Sequence, residues 1–189
     1  MPWKPAHGDT DTFERVALVH LDALYRVALR LTRNRAEAED VVQEALMKAF
    51  RGFHRFDPGT NCRAWLFTIL RNVFLNRLRG QDREVLQAEV GGLDHVEPIG
   101  GAPLGDNPEE QFLQTVVHGD VDRALSALPL TFREAVLLVD IEGLSYREVA
   151  EVVGCPIGTV MSRLARGRAL LRRALGQLAR EHGYVREEG

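Results

Sequence analysis

The stretch Ser145-Tyr146-Arg147-Glu148-Val149-Ala150-Glu151-Val152-Val153-Gly154-Cys155-Pro156-Ile157-Gly158-Thr159-Val160-Met161-Ser162-Arg163-Leu164 decides how this chain is read. Ser145 and Glu148 have the spacing of a capping box, in which a hydroxyl and a carboxylate satisfy free backbone N–H groups at a helix start. Gly154 stands where that helix would end in a left-handed residue. Cys155-Pro156 then turns the chain, with Pro156 suited to the first turn of a following helix. Ala150 is small where the two helices would cross, and Val160 packs back six residues beyond Gly154. Val149, Val153 and Leu164 complete the apolar seam. This is helix-turn-helix spacing, and the second helix of such a motif enters the major groove, where base edges can be distinguished. From Ile157 to Arg180 that helix carries Arg163, Arg166, Arg168, Arg172, Arg173 and Arg180 and no acidic residue. A surface of this kind gains free energy by releasing counterions from DNA. A hairpin with a merely solvated basic face is the plainer alternative; the caps, the turn glycine and the acid-free helix together favour DNA binding.

Upstream of this motif, a helix from Asp120 to Leu128 is ended by Pro129. The next opens with Thr131-Phe132-Arg133-Glu134, which also has capping-box spacing, and stops at Gly143. Further back, from Gln81 to Gln111, the helical period disappears. Glycines 91, 92, 100, 101 and 105 and prolines 98, 103 and 108 are interspersed with eight acidic residues and one basic residue. That composition reads as a flexible, extended linker, and the domain boundary belongs there.

Three helices precede the linker. Phe13, Val16, Ala17, Leu21, Leu24, Val27, Ala28 and Leu31 recur every three or four positions, as one face of a long amphipathic helix does. Asn34 can cap a second helix, with Glu37 three residues on, and its buried face would be Ala38, Val41, Val42, Ala45, Ala49 and Phe53. The turn Phe56-Asp57-Pro58-Gly59 breaks that pattern. A third helix runs from about Asn61 to Arg79, with Trp65, Ile69 and Val73 facing inward. The expected fold is all-α, with two small helical domains (12–80 and 112–180) joined by the acidic linker 81–111.

The 189 residues carry a formal net charge of −3, which by itself does not suggest a nucleic-acid binder. By segment, residues 1–80 have a net charge of +4, residues 81–111 of −7, and residues 112–189 are balanced. The two cysteines, Cys62 and Cys155, lie far apart without a CxxC or Cys/His cluster, against a disulfide framework or an intrinsic metal site. Apolar runs are too short to cross a bilayer and no basic-then-apolar leader opens the chain, so a cytoplasmic location without membrane insertion is expected. No nucleophile–base set, metal cluster or glycine-rich phosphate loop appears among the residues. Neither catalysis, a cofactor nor a small-molecule substrate is expected.

Three stretches together resemble the extracytoplasmic function (ECF) sigma factors, over most of the chain from about Phe13 to Leu178. Ala38-Glu39-Asp40-Val41-Val42-Gln43-Glu44-Ala45 looks like the helix that docks on the polymerase clamp. Ala64-Trp65-Leu66-Phe67 with Ile69-Leu70-Arg71-Asn72 is similar to the segment that opens and reads the −10 promoter element. Leu128-Pro129, Arg133-Glu134 and the run from Gly143 to Leu164 look like the domain that reads the −35 element.

The resemblance implies contacts, and the residue chemistry is consistent with them. Asp40, Gln43, Glu44 and Met47 share one helix face opposite the buried stripe, implying an ionic and hydrogen-bonding contact with the clamp of the largest subunit of core RNA polymerase. Arg63, Arg71, Asn72, Asn76 and Arg77, placed with Arg79 on the outer faces of the third helix, are implied at the −10 element. Amides can read a base edge, arginines hold phosphates, and the position of Asn72 matches the pocket for an unstacked base. Trp65 sits in the apolar stripe, which favours a packing role over stacking on a base. For the −35 element the implied set is Thr159, Met161, Ser162, Arg163, Ala165 and Arg166, offset from core positions Val160, Leu164 and the stem of Arg168. Met161 and Ala165 stand where longer polar, basic or aromatic side chains are frequent in the family, and Gly167 replaces a usual alanine. DNA shape and phosphate contacts would then carry more of the selectivity.

A 31-residue coil spans roughly 30 Å on average. Promoter elements two helical turns apart are about 70 Å from one another, and full extension allows about 100 Å. Polymerase would stretch the acidic thread through its positively charged RNA channel. The resemblance further implies the flap of the second-largest polymerase subunit as a partner, and an anti-sigma factor that masks the polymerase-binding face. Pro58-Gly59-Thr60-Asn61 resembles the thiol-stress-responsive branch, whose anti-sigma partners bind zinc. The rival readings are a helix-turn-helix regulator that never joins polymerase, and an enzyme. The helix around Asp40 speaks against the first and the missing constellations against the second.

Overall fold

The computed structural model describes the backbone of residues 7–85 and 119–181, and the side chains of 11–80 and 119–181. The expected linker lies outside the described residues, apart from 81–85. Among those described, every element is helical.

In the first domain, α1 (His7–Ala17) and α2 (Leu21–Thr32) are separated by a 3-10 turn at Leu18–His20. The single long helix expected there is therefore two. The turn leaves Leu18, Val19 and Leu21 exposed, while Phe13, Ala17, Leu24, Val27, Ala28 and Leu31 are buried on one face. α3 (Arg35–Gly52) starts at Asn34, whose side chain accepts the Glu37 N–H at 3.0 Å. Its stripe Ala38, Val41, Val42, Ala45 and Ala49 is buried, and Phe53 is partly buried in the 3-10 turn that follows.

α4 (Cys62–Val85) outruns its expected end near Arg79 by six residues. Its deepest side chains are Leu66, Phe67, Leu70 and Val73, each about 1% exposed, with Trp65 and Ile69 only partly buried. The inward face is thus rotated from the one expected, because α4 is covered from two sides. α2 and α3 pack on one flank, α7 of the second domain on the other. Trp65 lies against Phe56, with ring centroids 5.1 Å apart, and tilts over Phe53 at 6.3 Å.

The second domain comprises α5 (119–126), α6 (Leu130–Val136), a π turn at Leu137–Ile141, α7 (Tyr146–Val153) and α8 (Ile157–Glu181). α6 begins one residue before Thr131, with Pro129 at its cap and no side-chain cap bond. The capping box expected at Thr131–Glu134 does not form, because the helix already begins at Leu130, which places Thr131 inside it, and the Glu134 carboxylate accepts from Arg71 instead. Arg133 donates to the Ser126 and Leu128 carbonyls at 2.8 and 3.0 Å, tying α5 to α6. Burial, together with the nearby Arg33, pulls the Arg133 guanidinium down to about 10. The capping box at Ser145 does form, in both directions, and Gly154 closes α7 with φ +68°. Pro156 stands just before α8 instead of inside its first turn, and its carbonyl accepts from Thr159 and Val160.

α8 packs against α6 and α7, with Val160, Leu164 and Gly167 buried along it. Arg168, expected to lend its stem to the core, is exposed and paired with Asp140. Gly167 takes the buried place: a Cβ there would stand 2.9 Å from Val136 Cγ2 and 3.1 Å from the Phe132 carbonyl oxygen. The two domains share one continuous apolar core.

Candidate polymerase and promoter interfaces

On α3, burial of the alanine–valine stripe turns the opposite face to solvent. Asp40, Gln43 and Met47 are exposed there, with Glu44 at its edge. Glu44 accepts from Lys48 at 2.8 Å and from Arg77 of α4 at 2.9 Å. These two cations hold its carboxyl below the usual carboxylate value. Arg77 also lies 3.5 Å from Asp40. A residue assigned to DNA thus stands among residues assigned to polymerase, and it clasps α4 to α3.

The rest of the −10 set splits in two. Asn72 and Asn76 are exposed, and Asn76 lies 3.5 Å from Arg79. Arg63 and Arg71, expected on outer faces, are turned into the contact with the second domain. Arg71 forms a two-pronged pair with Glu134, at 2.8 and 3.3 Å. Arg63 pairs with Glu142, which Arg26 of α2 also approaches at 3.5 Å. Arg30 pairs with Asp122 at 2.9 Å, and Asn61 donates to Glu148. Glu142 is missing from the residues singled out by sequence. The π turn and the left-handed Gly143, with φ +66°, deliver it into the contact with its side chain fully covered. The turn Asp57–Asn61 has a local explanation. The Gly59 N–H meets the Asp57 carboxylate at 2.9 Å, and the Asn61 side chain accepts the Arg63 N–H at 3.0 Å, at the start of α4.

On α8, Met161, Ser162, Ala165 and Arg166 are all exposed on one side, and Thr159 and Arg163 flank them half-buried. The Ser162 hydroxyl donates to the Thr159 carbonyl at 3.0 Å, so toward a base it offers lone pairs first. No carboxylate among the described residues pairs with Arg163, Arg166, Arg172 or Arg173. Likewise, no group among the described residues could hold a metal ion, and no described helix is long and apolar enough to cross a membrane.

A capped helix-turn-helix whose second helix carries no acidic residue before Glu181, joined to a helical domain with Asp40, Gln43 and Met47 exposed on one face, is the make-up of a DNA-binding transcription factor. Residues 18–84 match the family described as Sigma-70 region 2, and residues 118–171 that described as Sigma-70, region 4. The chain is 38% identical over 171 residues to the ECF RNA polymerase sigma factor SigE of Mycolicibacterium smegmatis, which covers 90% of this chain and 64% of that one. It is 36% identical over 162 residues to the ECF RNA polymerase sigma factor EcfG of Rhodopseudomonas palustris, covering 86% and 84%. The fold matches the sigma factor RpoE of Bartonella quintana, solved with the anti-sigma factor NepR, with a TM-score of 0.75 and 36% identity over 88% of this chain and 98% of that one. The chain belongs to the ECF RNA polymerase sigma factors, a family of non-enzymatic transcription initiation factors.

Proposed function

We propose that this sigma factor works through the surfaces just described, with its domains divided near 12–80, 81–111 and 112–180. Asp40, Gln43, Glu44 and Met47 dock on the clamp of the largest subunit of core polymerase. Asn72 and Asn76, with Arg63, Arg71 and Arg77, serve the −10 element and its melting. Thr159, Met161, Ser162, Arg163, Ala165 and Arg166 serve the −35 element, and the second domain meets the flap of the second-largest subunit. An anti-sigma factor, the kind of partner bound to the B. quintana relative, holds the chain inactive. The place of action is the cytoplasm, where polymerase meets the chromosome.

The observation that carries this reading is the open face of α3. Its opposite side is fully buried, so exposure of Asp40, Gln43 and Met47 is not needed for the fold. In vitro transcription with core enzyme, followed by mapping of start sites, tests it. Starts preceded by two shared elements are expected. Asp40→Lys should lose retention on core while keeping its helical circular dichroism; it is a cleaner probe than a change at Glu44, which also holds Arg77. A chain that binds DNA fragments but never co-purifies with core would instead be a regulator independent of polymerase.

A further inference from the structure

The amino-terminal half of α8 exposes apolar side chains that the fold does not use. Ile157 is 44% exposed and Met161 52%, and Ala165 is exposed as well. Spaced four residues apart, the three form one ridge, while Val160, Leu164 and Gly167 fill the buried seam. A parallel ridge beside it carries Gly158, Ser162 and Arg166, all exposed. A step of four residues advances about 6 Å along a helix, and base pairs follow one another every ~3.4 Å. Neighbours on a ridge therefore face base pairs one or two steps apart.

The two ridges differ in chemistry. Met161 and Ala165 offer neither a donor nor a strong acceptor to a base edge. Pressed against a G·C pair, they would leave guanine N7 and O6 and the cytosine amino group dry and unpaired, which is costly. Thymine alone presents an apolar group in the major groove, its 5-methyl. Ser162 adds a second constraint. Its hydrogen goes to the Thr159 carbonyl at 3.0 Å, so toward DNA its oxygen accepts. The amino groups that donate in the major groove are adenine N6 and cytosine N4.

We propose that the Met161–Ala165 ridge reads the methyl group of thymine. The −35 element of this chain then holds an A·T pair against that ridge, beside an adenine or cytosine whose amino group donates to Ser162. Selectivity comes there from apolar contact with a base edge, in addition to DNA shape. The inference rests on the assignment of α8 to the −35 element.

The test uses holoenzyme, core polymerase plus the full chain, on a promoter obtained by start-site mapping. Each thymine of the −35 element is replaced in turn by deoxyuridine, which removes the methyl group and keeps the pairing edge. At one position or more the affinity should fall about fourfold, the effect of one buried methyl. Changing that T·A pair to C·G should cost more, and 5-methylcytosine paired with guanine should recover about fourfold, since it restores the methyl without A·T shape. Met161→Gln/Ala165→Ser keeps an unbranched and a small side chain at these exposed positions, and should abolish both methyl effects at unchanged helical circular dichroism. If the double variant loses helicity, Met161→Gln alone provides the same readouts in smaller measure. Affinity indifferent to every deoxyuridine, or a methyl effect that survives in the variant, overturns the proposal. A variant that binds every promoter as the wild type does also overturns it, and assigns the ridge to a protein partner. Scrambling the whole −35 element separates the two levels. If the wild type binds the scrambled promoter unchanged, the assignment of α8 fails and the proposal with it. If scrambling weakens binding while deoxyuridine does not, the methyl reading alone fails.

Discussion

α4 and α8 are the two longest helices among the described residues, 24 and 25 residues, and both carry arginines at intervals along their length. Their arginines nevertheless stand in opposite situations. In α4, Arg63, Arg71 and Arg77 each face a carboxylate from another element. In α8, among the described residues only Arg168 does, through Asp140. The cause is packing. α4 is apolar on two sides and is enclosed by both domains, so its charged positions fall at the seams between elements. α8 has a single narrow seam, and the rest of its circumference faces solvent. Whether an arginine is available to DNA thus depends on what its helix packs against and cannot be read from the helix's own charge.

The same substitution should therefore act differently on the two helices. Arg71→Ala removes the partner of Glu134, which is 3% exposed, and leaves a buried carboxylate uncompensated. Breaking a buried pair in this way costs about 3–5 kcal/mol. Calorimetry should show a lower melting temperature or a broadened, two-step transition. Arg172→Ala should change stability by less than about 0.5 kcal/mol. Equal, small effects at both sites would erase the comparison.

Gly167 tests the other half of it, the narrowness of the α8 seam. In an exposed helix Gly→Ala would gain about 1 kcal/mol. Here the new Cβ meets the buried Val136 at 2.9 Å and a backbone carbonyl at 3.1 Å, and neither can move freely. Overpacking of about 1–3 kcal/mol should win, so Gly167→Ala should lower the melting temperature. A rise would show that α8 can shift away from α6.

The helix-turn-helix is anchored by the Ser145–Glu148 box. Ser145→Ala should cost about 1 kcal/mol. Hydrogen bonds from Ser145, side chain first and then backbone, hold the Glu148 carboxyl below its ordinary 4.5. A lowered carboxylate stabilises the fold above its unfolded value, and that contribution is lost as pH falls through the folded one. The gap between wild type and Ser145→Ala in denaturant midpoint should therefore narrow in acid, below about pH 4.5. A gap independent of pH would mean that the carboxylate does not share in the cap.

The same sites mark how far the sequence alone reaches. The caps at Asn34, Ser145 and Gly154 are legible in it because each joins residues at most four apart. The exposed set on α8 is legible for a similar reason: a helix with one apolar seam leaves its other positions free. Glu134 has the spacing of a local cap, yet Arg71, 63 residues away in sequence, takes it. Glu142 gives no signal at all, since its importance arises from a π turn and a left-handed glycine that aim it across the domain contact. Likewise, the inward face of α4 escapes a reading by periodicity, because a two-sided helix has no single stripe. Local chemistry is visible in the sequence, and pairing between the domains is not.

The smallest expected effect concerns the late turns of α8. Arg172 lies there, well beyond the exposed set Met161, Ser162, Ala165 and Arg166, and no described carboxylate pairs with it. A recognition helix probes base edges with its early residues, so a contact from Arg172 should be to phosphate. Arg172→Ala should then weaken binding to every sequence alike and reduce the salt slope by about one unit. Arg166 lies inside the exposed set, and loss of a direct base contact there should cost about 1–3 kcal/mol at one base pair only. The measurement is a titration of holoenzyme, core polymerase plus this chain, against promoters with single-base changes in the −35 element, at several salt concentrations. Arg172→Ala should shift all the curves together, and Arg166→Ala should change their order. If Arg172→Ala changed base preference, α8 would be rotated or docked differently in the groove. Since Gly167 fixes which side of the helix faces α6, the whole exposed set would then have to be reassigned as a block.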